Sequence, residues 1–327
     1  ALPIYCGEYF PLIGLENIGQ TSYMNSILQC LFHIPELNYF FINKYPELKN
    51  NNFKNINNDK DIKNSLSEEY HKIVFNIFNI QKGYFSPKDF NNFLCQINGQ
   101  IEKDKENDTK ELLLFLLETM HTELAKYYLF GNNNLSIFSH LFYGILQFTS
   151  TCISCHKNSF NFQYFQFLNF PTLNFRDNYF NVYQGFKEFI KPELLDGDNK
   201  IFCQYCKGLK NARVISKIYF SPNYLIINID YGKNKKNKLS KISFGGIIDI
   251  NHFVENKSPS NEYILIAVCS YIEKEEGSGN YITYCRNNEN KWYEFNDSSI
   301  TETKFEKVYS NYPYVLIYKK LEEKFQT

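Results

Sequence analysis

Four cysteines stand in two CxxC pairs, Cys152 with Cys155 and Cys203 with Cys206. Four thiolates paired in this way make a tetrahedral zinc donor set. A site closed by four protein ligands keeps no open position, so its role would be structural. The same residues also read as buried thiols of a β-rich segment, and the spacer between the pairs is long for a zinc ribbon. A second pattern is Asp108 with Glu111, a D-x-x-E signature just before an apolar stretch. Such a pair can close a helix N-terminus, the aspartate accepting from free backbone N–H groups. Six histidines are spread along the chain. His33 and His121 fall within predicted helices and read as structural, and His252 stands by itself in a polar segment.

These groups must be positioned by a chain of 327 residues, long enough for one large domain or two ordinary ones. Lysine plus arginine and aspartate plus glutamate both number 35, which argues against nucleic-acid or membrane-surface binding driven by net charge. The core supply is strongly aromatic, with 26 tyrosines and 31 phenylalanines. No apolar run approaches the roughly 18 residues of a membrane-spanning helix, and no basic-then-apolar leader is visible. Nine cysteines, an odd number, suit a reducing compartment better than a disulfide framework, so a cytoplasmic or nuclear location is expected. Cys6, Cys30, Cys95, Cys269 and Cys285 read as ordinary core or surface thiols.

Met24, Ile27, Leu28 and Leu31 recur at helical spacing, with Pro35 closing the pattern. Residues 44–68, rich in Asn, Lys and Asp, read mostly as a surface loop. Short amphipathic helices fit 70–80 and 87–98. A stronger one fits 108–124, with Leu112, Phe115, Leu116 and Thr119 on one face. Aromatic strands fill 138–175 and a short helix fits 182–191. The remainder reads mainly as strand: Tyr224–Asp230, Tyr263–Cys269, Tyr281–Cys285, Trp292–Phe295 and Tyr314–Tyr318. Polar loops are expected at Lys233–Lys238 and Glu273–Asn280. Helices first and strands later predict an α+β fold with an antiparallel sheet packed on helices.

The segment GLENIGQTSYMNSILQCL at 14–31 resembles the cysteine box of the ubiquitin-specific proteases, whose pattern is roughly GLxNxGxTCYMNSxLQxL. YILIAVCSYIEKEEGSGNYITYCRNNENKWYEFNDSSI at 263–300 resembles that family's histidine box, and NDTKELLLFLLETMH at 107–121 its QDAxEFLxxLLDxLH segment. CISC and CQYC match its zinc-binding fingers, while KPELLDGDNKIFC and YPYVLIYKK also fit. The matches run in order through almost the whole chain. The resemblance implies one papain-like domain over 1–327: a helical thumb at about 14–125, zinc-ribbon β-fingers at about 140–210 and an antiparallel β-palm at about 207–320. It favours zinc, bound by Cys152, Cys155, Cys203 and Cys206. It also implies a concave surface for ubiquitin, whose basic C-terminal tail would meet Asp108 and Glu111.

In that family a cysteine at a helix N-terminus is favoured as thiolate by the helix dipole and a nearby imidazole, which acts as base and then acid. Asn17 matches the oxyanion-donor position, Asn296 the residue that orients the imidazole, and Asp297 the polar position beside it. The two central members depart from the pattern. Ser22 stands at the nucleophile position, and Asn280, in GSGNY, at the position of the histidine in GHY. Tyr271 replaces a second histidine upstream. Serine needs a base to take its proton, and an amide has none to offer. His71, His140, His156 and His252 match no catalytic position of the family. Ser22 has three readings: a replacement introduced to trap a complex, a natural loss, or a serine nucleophile. The simultaneous change at Asn280 favours natural loss. The expected function is that of an inactive homologue that binds ubiquitin or serves as a scaffold in a larger complex. The alternatives are a cysteine-type deubiquitinase altered at Ser22 and a purely structural subunit.

Overall fold

The computed structural model describes residues 10–52, 65–80, 83–102, 105–126, 135–172, 179–232, 241–256, 261–275, 278–309 and 312–321. Cys6 and the Lys233–Lys238 segment lie outside them. The chain forms two compact units, one from residues up to Leu141 with Ile266–Ile317, the other from Phe142–Leu265 with the segment that starts at Tyr318.

In the first unit the predicted Met24, Ile27, Leu28, Leu31 stripe lies on the helix Ser22–Phe32, of which all eleven residues are buried. A helix buried all round must satisfy its polar side chains internally. Gln29 Nε2 donates to the Ile13 carbonyl at 2.8 Å and Asn25 Nδ2 to the Glu16 carbonyl at 3.2 Å. Pro35 does not close this helix. Phe32 ends it, and Pro35 opens the next one, Pro35–Tyr39, where its missing N–H is no loss. That helix continues through a π-helical turn, Phe40–Lys44, into Tyr45–Asn52. The loop expected over 44–68 is therefore helical at 45–52 and again from Leu66, with 53–64 outside the described residues. Polar composition misled here. Buried Phe40, Phe41 and Tyr45 anchor the segment, with Phe41 edge-on to Tyr70 at 4.7 Å.

The helix Leu66–Asn79 has Ser65 as N-cap. The Glu123 carboxylate supports the same end, accepting from the N–H groups of Leu66 and Ser67 at 2.9 and 2.8 Å. The Lys88–Ile97 helix matches the predicted 87–98 segment. On the Thr109–Ala125 helix, Leu112, Leu113, Leu116, Leu117, Met120 and Leu124 are buried, whereas Phe115 and Thr119 are half-exposed. The buried face is wider than the expected stripe because the helix packs against both Ser22–Phe32 and Leu66–Asn79.

Strands that lie wholly or mostly in this unit follow the order Ser299–Thr303, Trp292–Asn296, Ser278–Arg286, Glu262–Glu275, Tyr312–Lys320. The first four form an antiparallel meander. The polar loop expected at Glu273–Asn280 is instead the end of a hairpin, with Glu273 paired to Gly279 and Glu275 to Ser278. An antiparallel pair needs only one apolar face, so polarity does not exclude pairing there.

The second unit carries a four-stranded antiparallel sheet, ordered Asn158–Phe165, Gly144–Cys152, Ala212–Phe220, Glu193–Leu195. Tyr224–Asp230, with the predicted bounds, pairs in parallel with Phe167–Pro171. The Val182–Phe189 helix starts with a capping box of Asn181 and Gln184. Its Phe186 ring stacks on Phe253 at 4.9 Å and meets Phe170 edge-on at 5.0 Å. Among the described residues no helix is long and apolar enough to cross a membrane.

Candidate functional site

Ser22 is the first residue of the buried helix and is 4 % exposed. The chain reaches it through a tight loop in which Gly19 and Gln20 adopt φ values of +107° and +53°. A side chain at 19 would be strained in that conformation, so the glycine is required by the backbone. Asn17 organises the loop: its Oδ1 accepts from the Thr21 N–H at 3.0 Å, and its Nδ2 donates to Asp297 Oδ2 at 3.0 Å. Asp297, in a left-handed conformation at the turn after Asn296, accepts with its other oxygen from Asn25 Nδ2 at 2.8 Å. Its carbonyl accepts from the Leu15 N–H at 2.9 Å. One aspartate thus joins the approach loop, the helix and the strand turn. Asn17, matched to an oxyanion donor in the sequence, uses one of its two Nδ2 hydrogens on this carboxylate, which fixes the orientation of the amide.

The strand Ser278–Arg286 lies along the same helix. Cys285 Sγ donates to the Gln29 carbonyl at 3.7 Å, Thr283 Oγ1 to the Ser26 carbonyl at 2.8 Å, and the Tyr281 N–H to Ser22 Oγ at 3.3 Å. Asn280, 9 % exposed, donates its amide hydrogen to Asn296 Oδ1 at 2.8 Å. The structure therefore places Ser22 and Asn280 beside Asn296, with Asn17 and Asp297 bonded to one another at the approach to the helix. The partner that Ser22 Oγ meets is a backbone donor, and the Asn280–Asn296 bond is a neutral amide pair. Neither takes up a proton near neutral pH.

The histidines of this unit serve elsewhere. His33 lies eleven residues further along, at the end of the same helix, about 16 Å away at the helical rise. It is buried, donates from Nδ1 to the Gln29 carbonyl at 2.8 Å, stacks on Phe10 and meets Phe295 edge-on. Burial lowers its pKa to about 4, against the pull of that hydrogen bond, so it is neutral at pH 7. His71 bonds the Phe41 carbonyl and His121 the Ser136 hydroxyl, each at 2.8 Å. His140 stands in the Ile137–Phe142 helix, and His156 and His252 belong to the second unit.

Asp108 is the N-cap of Thr109–Ala125, its Oδ1 accepting from the Lys110 N–H at 2.7 Å and the Glu111 N–H at 3.4 Å. Asp108 thus carries the helix start, while Glu111 is exposed in the first turn. Both border a recess of about 320 Å³ that also includes Glu118, Asn107 and Phe115. Three carboxylates give it an acidic wall suited to a basic peptide.

The cysteine cluster belongs to the second unit. Cys152 ends one strand and Cys203 another, and each CxxC is followed at once by a left-handed residue, His156 at φ +57° and Lys207 at +51°. The two knuckles thereby fold back alike. The His156 N–H returns to the Cys152 carbonyl at 2.8 Å, and Cys203 pairs with Gly208 across a short hairpin. All four sulfurs lie within 4.8 Å of one another, with Cys155–Cys203 at 3.6 Å and Cys152–Cys206 at 4.0 Å. Tetrahedral zinc with bonds near 2.3 Å requires sulfurs about 3.8 Å apart, so the donor set fits the ion. The Cys155 N–H, helped by that of Ser154, lowers the pKa of the Cys152 thiol, while hydrogen bonding from the neighbouring cysteines pushes that of Cys206 up, so without a cation the cluster favours one thiolate at Cys152. These four residues could hold a metal ion such as zinc, with every position of a tetrahedron supplied by the protein.

This mixed helix-and-sheet fold, with its cysteine cluster and its helix-start centre, is that of the ubiquitin-specific proteases. Residues 13–318 match the family profile described as Ubiquitin carboxyl-terminal hydrolase, and the chain belongs to that family. It is similar to Ubiquitin carboxyl-terminal hydrolase 25 of Arabidopsis thaliana, 27 % identical over 94 % of this chain and 47 % of the relative. It is similar also to Ubiquitin carboxyl-terminal hydrolase 2 of Homo sapiens, 26 % identical over 94 % of this chain and 55 % of the relative. The chain thus spans about half the length of these relatives. Among solved structures it resembles a chain of the SAGA DUB module Ubp8/Sgf11/Sus1/Sgf73 bound to monoubiquitin. The TM-score is 0.76 and the identity 22 %, over 96 % of this chain and 70 % of that one. A second structure of the module, bound to ubiquitin aldehyde, gives a TM-score of 0.74.

Proposed function

We propose that this chain binds ubiquitin without cleaving its conjugates, as a recognition or scaffolding subunit of a larger complex. The observation that carries this reading is the Asn280–Asn296 amide pair at 2.8 Å beside Ser22. A hydroxyl nucleophile must hand its proton to a base during attack, and an acid must protonate the leaving amine. A neutral amide does neither, and no described histidine of this unit is bonded to Ser22. Asn17, Asn296 and Asp297 then act as structural hydrogen-bonding residues. Membership of the family and the ubiquitin-bound state of a similar fold support the choice of partner. Glu111 and Asp108 would face the arginine-bearing tail of ubiquitin, and zinc would stabilise the cysteine knuckles.

The test is a fluorogenic ubiquitin substrate together with calorimetric titration of ubiquitin. Binding without turnover is expected. Turnover abolished by Ser22→Ala would overturn the inactive reading. Absence of binding by a folded chain would leave the purely structural subunit. An active hydrolase altered at Ser22 is the second reading, and the intact Asn17, Asn25, Asp297 framework favours it. It requires substantial turnover by Ser22→Cys alone.

A further inference from the structure

The path by which an extended peptide would reach Ser22 can be read from the helix and the strand beside it. Gln29, Ser26 and Ser22 sit in turn against Cys285, Thr283 and Tyr281. Each two-residue step toward the start of the strand moves the contact about one helical turn toward the helix N-terminus, since two strand residues and four helix residues both span about 6–7 Å. Residues of one strand at intervals of two share a face of the sheet. The next position of this series is Gly279, ahead of the N-terminus at which Ser22 stands. A peptide chain laid on this face toward Ser22 passes over Gly279, and a bare glycine would leave room for it.

That room is filled. Tyr271 pairs directly with Tyr281 across the hairpin and so shares its face. Its ring extends diagonally onto the glycine: a β-carbon at 279 would collide with Cζ and Oη of Tyr271 and lie 2.6 Å from the Ile272 carbonyl oxygen. The ring is pinned from behind. It meets Tyr281 edge-on at 5.1 Å and Tyr314 at 5.9 Å, while Tyr281 and Tyr314 meet edge-on at 5.5 Å. Lys110 closes the cluster, its ammonium 5.6 Å from the centre of the Tyr314 ring.

We propose that Tyr271 is a built-in block, its ring occupying the floor ahead of Ser22 so that an extended peptide does not reach position 22. The proposal deepens, and in its biological sense rests on, the reading of the chain as a non-cleaving ubiquitin binder. Tyr271 adds a steric barrier to the missing base, and the body of ubiquitin would be held while its tail stays out of the centre.

The test measures access rather than ubiquitin binding, so it stands or falls independently of that reading. A thiol is introduced in the full chain by Ser22→Cys, alone and combined with Tyr271→Ala, Tyr271→His or Tyr271→Phe. Each protein is treated with iodoacetamide or with a peptide chloromethyl ketone ending in Gly-Gly, and modification at position 22 is followed by peptide mapping. In the peptide reaction the sulfur forms a bond to the methylene carbon, chloride leaves, and the thiol proton passes to buffer. Tyr271→Ala should speed peptide labelling at least tenfold and change iodoacetamide labelling less than threefold, while Tyr271→Phe keeps the block. Equal peptide labelling with and without the ring would overturn the proposal. If Tyr271→Ala fails to fold, the smaller ring of Tyr271→His must label faster than Tyr271→Phe, and equal rates there would overturn it as well.

Discussion

The cysteine cluster and the Ser22 centre both depend on a few side chains gathered from distant parts of the chain, and they differ in what those side chains can do. In the cluster every donor is present, and the spacing of the sulfurs matches the demand of one ion. At the other centre the framework is complete, with Asn17, Asn25 and Asp297 bonded as a unit, yet the two positions that would exchange a proton hold Ser22 and Asn280. A metal knuckle contributes directly to folding, so losing one ligand costs stability. A proton-transfer pair contributes little to folding. A serine hydroxyl and an amide–amide bond, worth about 1 kcal/mol net, fill its space without penalty. A side chain that only passes a proton can be exchanged at little cost to folding, whereas a metal ligand cannot.

The sharpest break of this contrast is removal of the metal. Cys203→Ser should abolish zinc binding and release the Ile201–Lys210 hairpin to proteolysis, forfeiting metal-binding free energy on the order of 10 kcal/mol. Elemental analysis and limited trypsin digestion check this. Zinc retained at one ion per chain by the variant would show the cluster is not the site.

Restoring the second centre is the next largest effect. Ser22→Cys with Asn280→His should remain nearly silent while Tyr271 is present. Adding Tyr271→His should raise turnover of a fluorogenic ubiquitin substrate by up to about 10⁴-fold, the scale of a lost triad member, or roughly 5.5 kcal/mol of barrier. The same rate in the double and triple variants would remove Tyr271 from the comparison.

His33 provides a test of the framework without the chemistry. Its folded pKa of about 4 lies below the unfolded value near 6.5, so between these values the unfolded chain holds the extra proton. Stability should be complete above about pH 6.5 and fall as the pH drops toward 4, by roughly 3 kcal/mol from this residue. Urea unfolding at pH 7 and pH 4.5, compared with His33→Gln, measures it, the variant losing less on acidification. An equal loss in both would assign the acid sensitivity to other groups.

The smallest effect separates two acids. Asp108→Ala removes an N-cap and should cost about 1 kcal/mol of stability, whereas Glu111→Lys at an exposed position should cost under about 0.5 kcal/mol. Glu111 is therefore the cleaner probe of a basic ubiquitin tail. Unchanged ubiquitin affinity in Glu111→Lys would take it out of the binding surface.

Much of this was legible in the sequence. The cysteine pairs, the Met24, Ile27, Leu28, Leu31 stripe and the strand Tyr224–Asp230 were visible because spacing and a short continuous apolar run report them directly. The helix at Tyr45–Asn52 was not, because its anchors Phe40, Phe41 and Tyr45 precede a run of polar residues. Pro35 reads equally as a stop or a start, and only the backbone decides. The wide buried face of Thr109–Ala125 depends on two packing partners that periodicity does not reveal. The capping role of Glu123 joins residues 56 and 57 positions apart, and no local signal announces it.

The bonds that assemble the Ser22 centre join the two ends of the chain, with separations of 259, 272 and 280 residues. During synthesis the helix Ser22–Phe32, buried on every side in the finished molecule, emerges long before the strand that covers it. At about 5–20 residues per second, the wait for Tyr281 lasts roughly 13 to 52 seconds. The Thr109–Ala125 helix arrives earlier and covers one side, but the side of Ser22, Ser26 and Gln29 that meets the strand stays open throughout that interval. A nascent chain truncated before residue 280 should therefore engage holdase chaperones, and release should coincide with arrival of the last strands.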